Sequence, residues 1–301
     1  MKIGVDLGGS KIEAVLMSSM GELLERQRVA TPTNDYQATL QVIVGLVSQL
    51  DAVAGLQCTV GMGTPGSVSL RDGRMKNCNS TCLNGQFLRR DIEALLGRRV
   101  AIANDANCFA LSESVDGAAA GKQTVFAVIL GTGVGGGICI NQQLLAGPSA
   151  IGSEWGHNLL PGVGVDFDNE QRVCYCGRKN CIETYLSGPG LAKTYFKISG
   201  QQRTAKEVAA LDLSGDEYAS KALKIYQQQL AYALSQVVNL IDPDVIVLGG
   251  GVSNIASLYQ AVPSSWGDAI FSDSIAVELV AAQYGDSSGV RGAAWLNNSA
   301  G

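Results

Sequence analysis

The feature that most constrains the fold of this chain is a strand, glycine turn and strand pattern that occurs twice. In the first copy, residues 3–16, an apolar strand runs into the turn Asp-Leu-Gly-Gly-Ser-Lys at 6–11, and alternating apolar residues follow it. In the second copy, residues 125–140, the turn is Gly-Thr-Gly-Val-Gly-Gly-Gly at 131–137. A pattern repeated at about one domain length indicates a duplicated unit. We therefore predict two related domains, each of which opens with a glycine-turned hairpin.

The rest of the chain alternates predicted strands with predicted helices. Apolar residues recur at helical spacing in several segments, and short apolar runs lie between them. Such alternation is typical of an α/β fold, here with a mixed sheet in each half. We predict domains 1–117 and 118–301, and expect the last helix, about 287–301, to pack back on the first domain. The predicted elements are helices near 40–50, at 106–115, from Asp216 to Ile241 and at 255–262, and strands at 59–63, 100–103 and 245–248.

Three glycine-rich turns are candidate phosphate-binding sites. Backbone N–H groups at a glycine turn approach an anion closely because no side chain intervenes. Two such hairpins, together with a third turn after the strand at 245–248, imply a nucleotide held between the domains. Either hairpin taken alone is equally well explained as a plain turn, and the P-loop and Rossmann patterns do not fit. The candidate residues are Asp6, Gly8, Gly9, Ser10, Lys11, Gly131, Thr132, Gly133, Gly249, Gly250 and Gly251.

The only histidine of the chain lies close to three cysteines in a loop-rich segment. His157, Cys174, Cys176 and Cys181 form the nitrogen and sulfur donor set that a tetrahedral Zn²⁺ site prefers. Four protein ligands leave no open position, so we expect a structural zinc and not a catalytic one. Two acids, Glu154 and Glu183, flank the set, and their carboxylates are suitable acceptors for the hydroxyls of a small molecule. A zinc loop that contacts no substrate remains the alternative, and Glu154 and Glu183 discriminate between the two interpretations.

Asp105 is the candidate general base. It follows an apolar strand and precedes a helix, where open α/β sheets place their ligands. A carboxylate there can accept the proton of a hydroxyl that attacks a γ-phosphate. The alternative is that Asn104 or Asp105 only caps the helix, which is a common role for these residue types.

Composition excludes several classes of partner. The formal net charge is −5 and no basic run occurs, so we expect no nucleic-acid binding. No uninterrupted apolar stretch approaches the length of a membrane span, and the first residues do not resemble an export signal. We therefore expect a cytoplasmic protein without a membrane partner, in which the remaining five of the eight cysteines are free thiols.

These motifs together resemble the ROK family of sugar kinases. The turns at 6–11, 130–133 and 248–251 are similar to its two phosphate motifs and its nucleoside loop, and the segments 152–157 and 174–183 match its zinc signature. The resemblance implies an actin-like ATPase (ribonuclease H-like) fold with a cleft between two domains, ATP with Mg²⁺, a structural Zn²⁺ and a homodimer. It makes Asp105 the catalytic base. The residues that it implies for sugar binding are Gly66, Asn79, Asn104, Glu154, His157 and Glu183.

Within the family, four segments look most like bacterial fructokinases that also accept mannose: 61–66, 76–81, 83–85 and 285–294. The resemblance therefore implies phosphorylation of fructose to fructose 6-phosphate. N-acetylglucosamine kinase, glucokinase and a non-catalytic sugar-sensing regulator are the alternatives. The usual threonine of the first phosphate motif is Ser10, and the longer stretch Pro161 to Val173 is either a flap near the sugar or a solvated loop.

Overall fold

The structure, a computed structural model, describes residues 1–78, 80–160 and 171–298. These form two compact units, each described separately below. The first unit consists of Met1–Gly121, Gly137–Gly152 and Gln283–Gly301, and the second of Lys122–Gly136 and Ser153–Ala282. The division at 117/118 stays a prediction. The compact units are defined differently, because they also assign residues 137–152 to the first unit.

Two five-stranded mixed sheets repeat one topology. In each, a hairpin and a third antiparallel strand form one side, and two parallel strands form the other. The sheet orders are β3-β2-β1-β4-β7 and β10-β9-β8-β11-β12. The strands are β1 (Lys2–Leu7), β2 (Lys11–Met17), β3 (Leu23–Ala30), β4 (Thr59–Thr64), β5 (Ser67–Val68), β6 (Met75–Lys76), β7 (Val100–Asn104), β8 (Thr124–Leu130), β9 (Val134–Ile140), β10 (Gln143–Leu144), β11 (Val245–Gly249) and β12 (Glu278–Ala281).

The helices confirm most of the periodicity read from the sequence. The segment predicted at 255–262 differs, because a 3-10 turn at Gly251–Asn254 comes first and the α-helix begins at Leu258. The α-helices are α1 (Tyr36–Ala54), α2 (Leu88–Leu96), α3 (Asp105–Val115), α4 (Glu183–Leu186), α5 (Gly188–Ser199), α6 (Ala205–Leu213), α7 (Glu217–Ile241), α8 (Leu258–Ser264) and α9 (Ser288–Trp295). Further 3-10 turns are Thr81–Leu83, Trp155–His157, Gly267–Ala269, Gly285–Ser287 and Leu296–Asn298.

Helix α1 is the one described helix with the length and apolar composition of a membrane span. Its residues Leu40, Ile43 and Val47 are buried in the core cluster of the first unit. A core helix of a globular domain meets the same criteria, so the packing accounts for the apolar character of α1.

Helix α9 packs on the first sheet through backbone contacts that only glycine permits. A Cβ atom on Gly4 of β1 would lie 2.1 Å from the carbonyl oxygen of Val290, and one on Gly61 of β4 would lie 1.9 Å from that of Ala293. On its other side, a Cβ on Gly292 would lie 1.7 Å from a carbonyl oxygen of α3. These glycines are therefore required by packing and not by a ligand.

Helix α7 shows how local signals set helix boundaries in the second unit. The Asp216 carboxylate accepts a hydrogen bond from the N–H of Ala219 at 2.7 Å, which caps the first turn. The helix ends at Asp242, which has a left-handed φ of 41° and precedes Pro243. Both boundaries confirm the sequence prediction. Strand β11 follows, fully buried, and leads directly into the third glycine turn.

Candidate functional site

The first glycine turn folds back on itself and leaves backbone donors at its tip. The N–H of Gly8 donates to the carbonyl of Lys11 at 3.0 Å, and the Thr31 hydroxyl donates to the carbonyl of Gly8 at 2.8 Å. Gly9 and Ser10 are exposed, and within the described residues their N–H groups have no acceptor. Such donors, with the side chain of Lys11 next to them in the chain, suit a phosphate oxygen.

Two carboxylates lie near each other beside this turn. Asp6 is near the end of β1, opposite Gly63 of β4, and Asp105 directly follows β7, the next strand of the sheet. Burial raises the pKa of Asp6 to about 6, and the negative charges of Asp105 and Glu13 add to the increase. A Cβ on Gly63 would lie 3.6 Å from the Asp6 carboxylate. The edge of the sheet therefore concentrates negative charge, the setting in which a cation or a proton is held.

The cap of α3 is Asn104 and not Asp105. The Asn104 side chain accepts a hydrogen bond from the N–H of Asn107 at 2.8 Å, which is the usual cap geometry. Asp105 is exposed, and its Oδ1 accepts from the N–H of Ala106 at 2.8 Å. The capping role that the sequence left open between these two residues thus belongs to Asn104, and Asp105 is not needed to start the helix.

The glycine at position 66 makes room for a neighbouring segment. A Cβ there would lie 2.5 Å from the carbonyl oxygen of Lys76 and 2.6 Å from the sulfur of Cys78. Asn79 lies outside the described residues. The next residue, Ser80, comes close to the first turn, since a Cβ on Gly9 would lie 3.4 Å from its Oγ. Ser80 therefore approaches the first turn.

The second glycine turn also closes on itself, with a hydrogen bond between residues two apart where the first turn joins residues three apart. The N–H of Gly131 donates to the carbonyl of Gly133 at 3.0 Å, and the N–H of Gly188 donates to the carbonyl of Gly131 at 2.8 Å. Thr132 is exposed, and the N–H groups of Thr132 and Gly133 have no acceptor within the part of the chain that the structure describes. Like the first turn, this one offers free donors to an anion.

The third turn, Gly249 to Gly251, lies beside the second because β11 pairs in parallel with β8. Gly250 has a φ of 82°, and a Cβ on it would lie 2.5 Å from the carbonyl oxygen of Leu130. Gly251 by contrast has open space where a Cβ would be. Glycine at 250 is thus required by backbone geometry, while Gly251 leaves an unobstructed surface.

The predicted zinc ligands converge. The ligand atoms of His157, Cys174, Cys176 and Cys181 all lie within 4.8 Å of one another. His157 Nδ1 is 3.6 Å from the Cys174 sulfur, and the Cys176 and Cys181 sulfurs are 3.7 Å apart. Bonds of about 2.0–2.3 Å around a tetrahedral Zn²⁺ place neighbouring ligand atoms roughly 3.5–3.8 Å apart. The described donors therefore fit this ion in number, type and spacing.

Buried packing fixes the turn that bears the histidine. Trp155 is buried and meets Phe126 edge to face, with ring centroids 5.8 Å apart. A Cβ on Gly156 would lie 2.1 Å from the carbonyl oxygen of Val134, so this glycine allows the turn to touch the start of β9. The tryptophan and glycine of the motif thus fix the turn that bears His157 by packing on Phe126 and Val134.

The two ring nitrogens of His157 face different groups. Nδ1 faces the thiols, whereas Nε2 lies 3.0 Å from the hydroxyl of Tyr175. Burial, followed by the charge of Glu183, raises the pKa of Tyr175 to about 12, so the phenol stays protonated. A metal on Nδ1 leaves the proton on Nε2, which then donates to the tyrosine. Sequence reasoning did not single out Tyr175, although its position between two cysteine ligands places it next to the histidine.

The two flanking acids differ in their contacts. Glu183 begins α4; its Oε1 is 3.8 Å from the Cys174 sulfur, and its Oε2 accepts a hydrogen bond from the N–H of Val134 at 3.0 Å. Glu154 is half-buried, and its carboxylate accepts no hydrogen bond within the described residues. Glu154 is therefore free to bind a ligand, while Glu183 already has a backbone partner.

The segment before the first cysteine is anchored at its end. Residues 161–170 of the predicted flap or solvated loop lie outside the described residues. Arg172, which follows them, is buried and donates to the carbonyl of Thr184 at 2.8 Å and to that of Gly190 at 3.1 Å. Its guanidinium also lies over the ring of Tyr185 at 4.2 Å. Arg172 thus ties the cysteine segment to α4 and α5.

Comparison with known proteins agrees with this geometry. The sequence pattern of the ROK family matches residues 2–300. Over 301 residues the chain is 38% identical to the N-acetyl-D-glucosamine kinase of Photobacterium profundum, with 99% of each chain covered. The ROK hexokinase of Thermus thermophilus superposes with a TM-score of 0.87 at 29% identity, covering 98% of this chain and 97% of that one.

A second solved structure, the ROK family glucokinase of Streptomyces griseus in complex with glucose and AMPPNP, superposes with a TM-score of 0.78. It is 26% identical and 98% of both chains is covered. The chain thus has the actin-like ATPase fold, and it belongs to the ROK family.

Proposed function

We propose that this protein transfers the γ-phosphoryl group of ATP to the 6-hydroxyl of a hexose. The observation that supports this proposal most is the placement of Asp105, an exposed carboxylate beside a glycine turn with free N–H donors, in a chain whose relatives are named sugar kinases. Phosphoryl transfer needs positioning and charge neutralisation more than strong proton abstraction. A correctly placed carboxylate and rigid backbone donors meet that need.

ATP is proposed to bind through the three glycine turns. The N–H groups of Gly9, Ser10, Thr132 and Gly133 would donate to phosphate oxygens, as would the Lys11 ammonium. The turn at 249–251 would accommodate the nucleoside. Mg²⁺ bound with ATP would neutralise phosphate charge, and the Asp6 carboxylate is the group we propose to hold a water of that ion.

Asp105 is proposed as the catalytic base. Its carboxylate would receive the proton of the sugar 6-hydroxyl as that oxygen attacks phosphorus. Because Asn104 caps α3, Asp105 can accept this proton without unfolding the first turn of the helix.

Zinc is proposed to have a structural role. His157, Cys174, Cys176 and Cys181 would hold it, and a bound zinc would stabilise the segment that bears Glu183. Sugar hydroxyls would bind to Nε2 of His157, to Glu154 and to Glu183, and Gly66, Asn79 and Asn104 complete the proposed set. Binding at Nε2 requires the Tyr175 hydroxyl to give up its contact with the histidine.

The acceptor that we propose first is N-acetyl-D-glucosamine. The support is the name of the Photobacterium relative, which is 38% identical over nearly the whole chain. Fructose is the second candidate, on the resemblance of the segments 61–66, 76–81, 83–85 and 285–294 to fructokinases. Three of these segments pack together in the first unit. The side-chain amide of Asn84 donates to the carbonyl of Cys78, and its side-chain oxygen accepts from the N–H of Cys78. Gly66 contacts the backbone of residues 76–78.

The test is a coupled ADP-release assay of the purified protein with MgATP and N-acetyl-D-glucosamine, fructose, mannose and glucose, followed by identification of the phosphorylated carbon by NMR. The expected result is turnover with the first or the second sugar and a 6-phosphate product. Turnover with neither but with glucose would overturn the acceptor assignment. If none of the four sugars gives ADP release, the result would contradict the kinase proposal and favour the sugar-sensing alternative.

We further propose that the enzyme works in the cytoplasm as a homodimer.

A further inference from the structure

Glu183 joins the zinc-ligand cluster to the second glycine turn. Its Oε1 lies 3.8 Å from the sulfur of Cys174, and its Oε2 accepts the N–H of Val134, the residue that follows the turn, at 3.0 Å. Residues 49 positions apart in the chain are thus connected by one side chain. All of these groups belong to the second unit.

The last glycine of the turn makes room for this carboxylate. A Cβ on Gly133 would lie 2.6 Å from Oε2 of Glu183, well inside the contact distance of two such atoms. Glycine at this position therefore leaves space for the Glu183 carboxylate, and not only for an approaching phosphate. A side chain at 133 would push Glu183 away from the N–H of Val134.

The backbone around Glu183 holds the side chain in this place. The carbonyl of Thr184 accepts from the buried guanidinium of Arg172 at 2.8 Å, and the hydroxyl of Thr184 donates to the carbonyl of Cys181 at 2.8 Å. The N–H of Ile182 donates to the carbonyl of Asn158 at 2.8 Å. The carboxylate is thus fixed from both sides of the cysteine segment, which is the condition for one group to position another.

We propose that Glu183 is a positioning residue for nucleotide, in which the carboxylate holds the second glycine turn in its phosphate-binding form. The inference rests on the proposed function, since it takes this turn to be a phosphate site. Fixing the Val134 N–H keeps the donors of Thr132 and Gly133 directed outward. Without the carboxylate the turn is free to adopt other conformations. Ordering its N–H donors then costs part of the free energy of nucleotide binding.

The arrangement also links nucleotide to sugar. Glu183 is one of the carboxylates proposed to bind a sugar hydroxyl, so a sugar that draws this group changes the bond to Val134. Coupling between two ligands through one group is reciprocal: a sugar that changes ADP affinity has its own affinity changed by ADP by the same factor.

The test measures MgADP affinity by calorimetry without sugar, together with zinc content, for the wild type, Glu183→Ala, Glu183→Gln and Glu217→Ala. We expect Glu183→Ala to bind MgADP about tenfold more weakly, the factor that about 1.4 kcal/mol for one lost charged hydrogen bond gives. Glu183→Gln should bind within about twofold of the wild type, because the amide oxygen still accepts the Val134 N–H. Glu217→Ala is the matched control: this exposed glutamate begins α7 in the second unit, as Glu183 begins α4, and its removal should leave MgADP affinity at the wild-type value.

Wild-type MgADP affinity in Glu183→Ala with zinc retained would overturn the inference and leave the proposed function standing. An equal loss in Glu217→Ala would also overturn it, because the effect would then not be specific to the Val134 contact. If Glu183→Ala loses zinc, Glu183→Asp decides: its shorter side chain keeps the charge but withdraws the oxygen, so tenfold weaker binding supports the inference and wild-type affinity contradicts it. A wild type that binds no MgADP would overturn the proposed function and the inference together.

Discussion

The two glycine-turned hairpins have turns of the same length and different acids. In each, three residues separate the strands and the first glycine N–H donates back across the turn at 3.0 Å, to Lys11 in one and to Gly133 in the other. An exposed hydroxyl residue lies at each tip, Ser10 or Thr132. The first turn has Asp6 in its own strand and Asp105 nearby, and these charges repel. The second has Glu183, supplied by α4 and bonded to a backbone N–H, so the carboxylates beside the two turns make different contacts.

The difference has a physical basis in how each carboxylate is solvated. A buried acid near other acids is costly in its charged form and retains a proton or a cation readily. An acid that accepts a backbone N–H is satisfied and acts by holding that backbone in place. The carboxylates beside the first turn therefore favour a bound proton or cation, whereas the carboxylate beside the second holds a backbone group.

The largest expected effect is that of Asp105→Asn. Loss of the carboxylate should lower kcat for sugar phosphorylation by about 100- to 10,000-fold, because the amide cannot take the proton. Zinc content, thermal stability and MgADP affinity should stay at wild-type values, since Asn104 caps α3. Turnover within a few fold of the wild type would show that Asp105 is not the base.

Of the two glycine turns, only the second should be affected by removal of a zinc ligand. Cys176→Ala should reduce zinc from one equivalent per chain to none and destabilise the cysteine segment, because metal binding and local folding are linked. The loss of order should pass to Glu183 and weaken MgADP binding about tenfold, as for the loss of its hydrogen bond. Metal analysis and calorimetry measure both effects. Cys82→Ala, a thiol outside the cluster, is the control and should retain zinc; zinc retained in Cys176→Ala as well would contradict the ligand assignment.

The charge on Asp6 should cost stability at neutral pH. Its pKa is raised to about 6 in the folded protein, so between about pH 4 and pH 6 the folded state binds this proton more tightly than the unfolded chain, and stability falls as the pH rises. Asp6→Asn removes that loss and should raise the free energy of unfolding by about 1–3 kcal/mol at pH 7.5 while lowering turnover. Urea unfolding at pH 7.5 and pH 5 measures it; the gain should shrink at pH 5, and an equal gain at both would contradict the assignment.

The smallest effects are expected from exchanging the hydroxyl residues of the two turns. Ser10→Thr and Thr132→Ser keep the hydroxyl and change one methyl group at an exposed tip. Each should leave kcat/KM for MgATP within about twofold of the wild type, since surface substitutions of this kind change free energies by about 0.5 kcal/mol or less. A tenfold loss in only one of them would show that the two tips contact ATP differently.

The sequence predicted the backbone well where the signals are local. The duplicated turns, the cap at Asp216 and the end of α7 at Asp242 all depend on residues within a few positions of one another. The convergence of His157 with three cysteines was also predictable, because the sequence has one histidine and three close cysteines with that donor chemistry. Strand β3 was missed, since as an edge strand with both faces largely exposed it has charged residues where a core strand is apolar.

Contacts between distant residues were not predictable. Glu113 looks like an ordinary helical acid in the sequence, yet it is fully buried and accepts hydrogen bonds from the N–H of Gln283 at 3.0 Å and the hydroxyl of Ser288 at 2.7 Å. The bond of Glu183 to Val134 is of the same kind. No local pattern distinguishes such acids from solvated ones, because their partners are far away in the chain.

The choice between sugars is limited by the same physics. Local segments resemble fructokinases, whereas the relative matched over nearly the whole chain is named N-acetyl-D-glucosamine kinase. Acceptor selection depends on hydrogen-bond positions to within about an ångström, which residue identity alone does not determine. The cap of α3 shows the same limit. The sequence allowed either Asn104 or Asp105 as the cap, and only the geometry assigned this role to Asn104.

The packing of α9 against Gly4 and Gly61 determines when the first unit can finish folding during synthesis. Most domains fold as they emerge from the ribosome, with the N-terminal one first. Here the glycines in β1 and β4 wait for a helix that begins at Ser288, after the whole second unit has been made. The first sheet therefore acquires its packing helix only after the second unit has been synthesised.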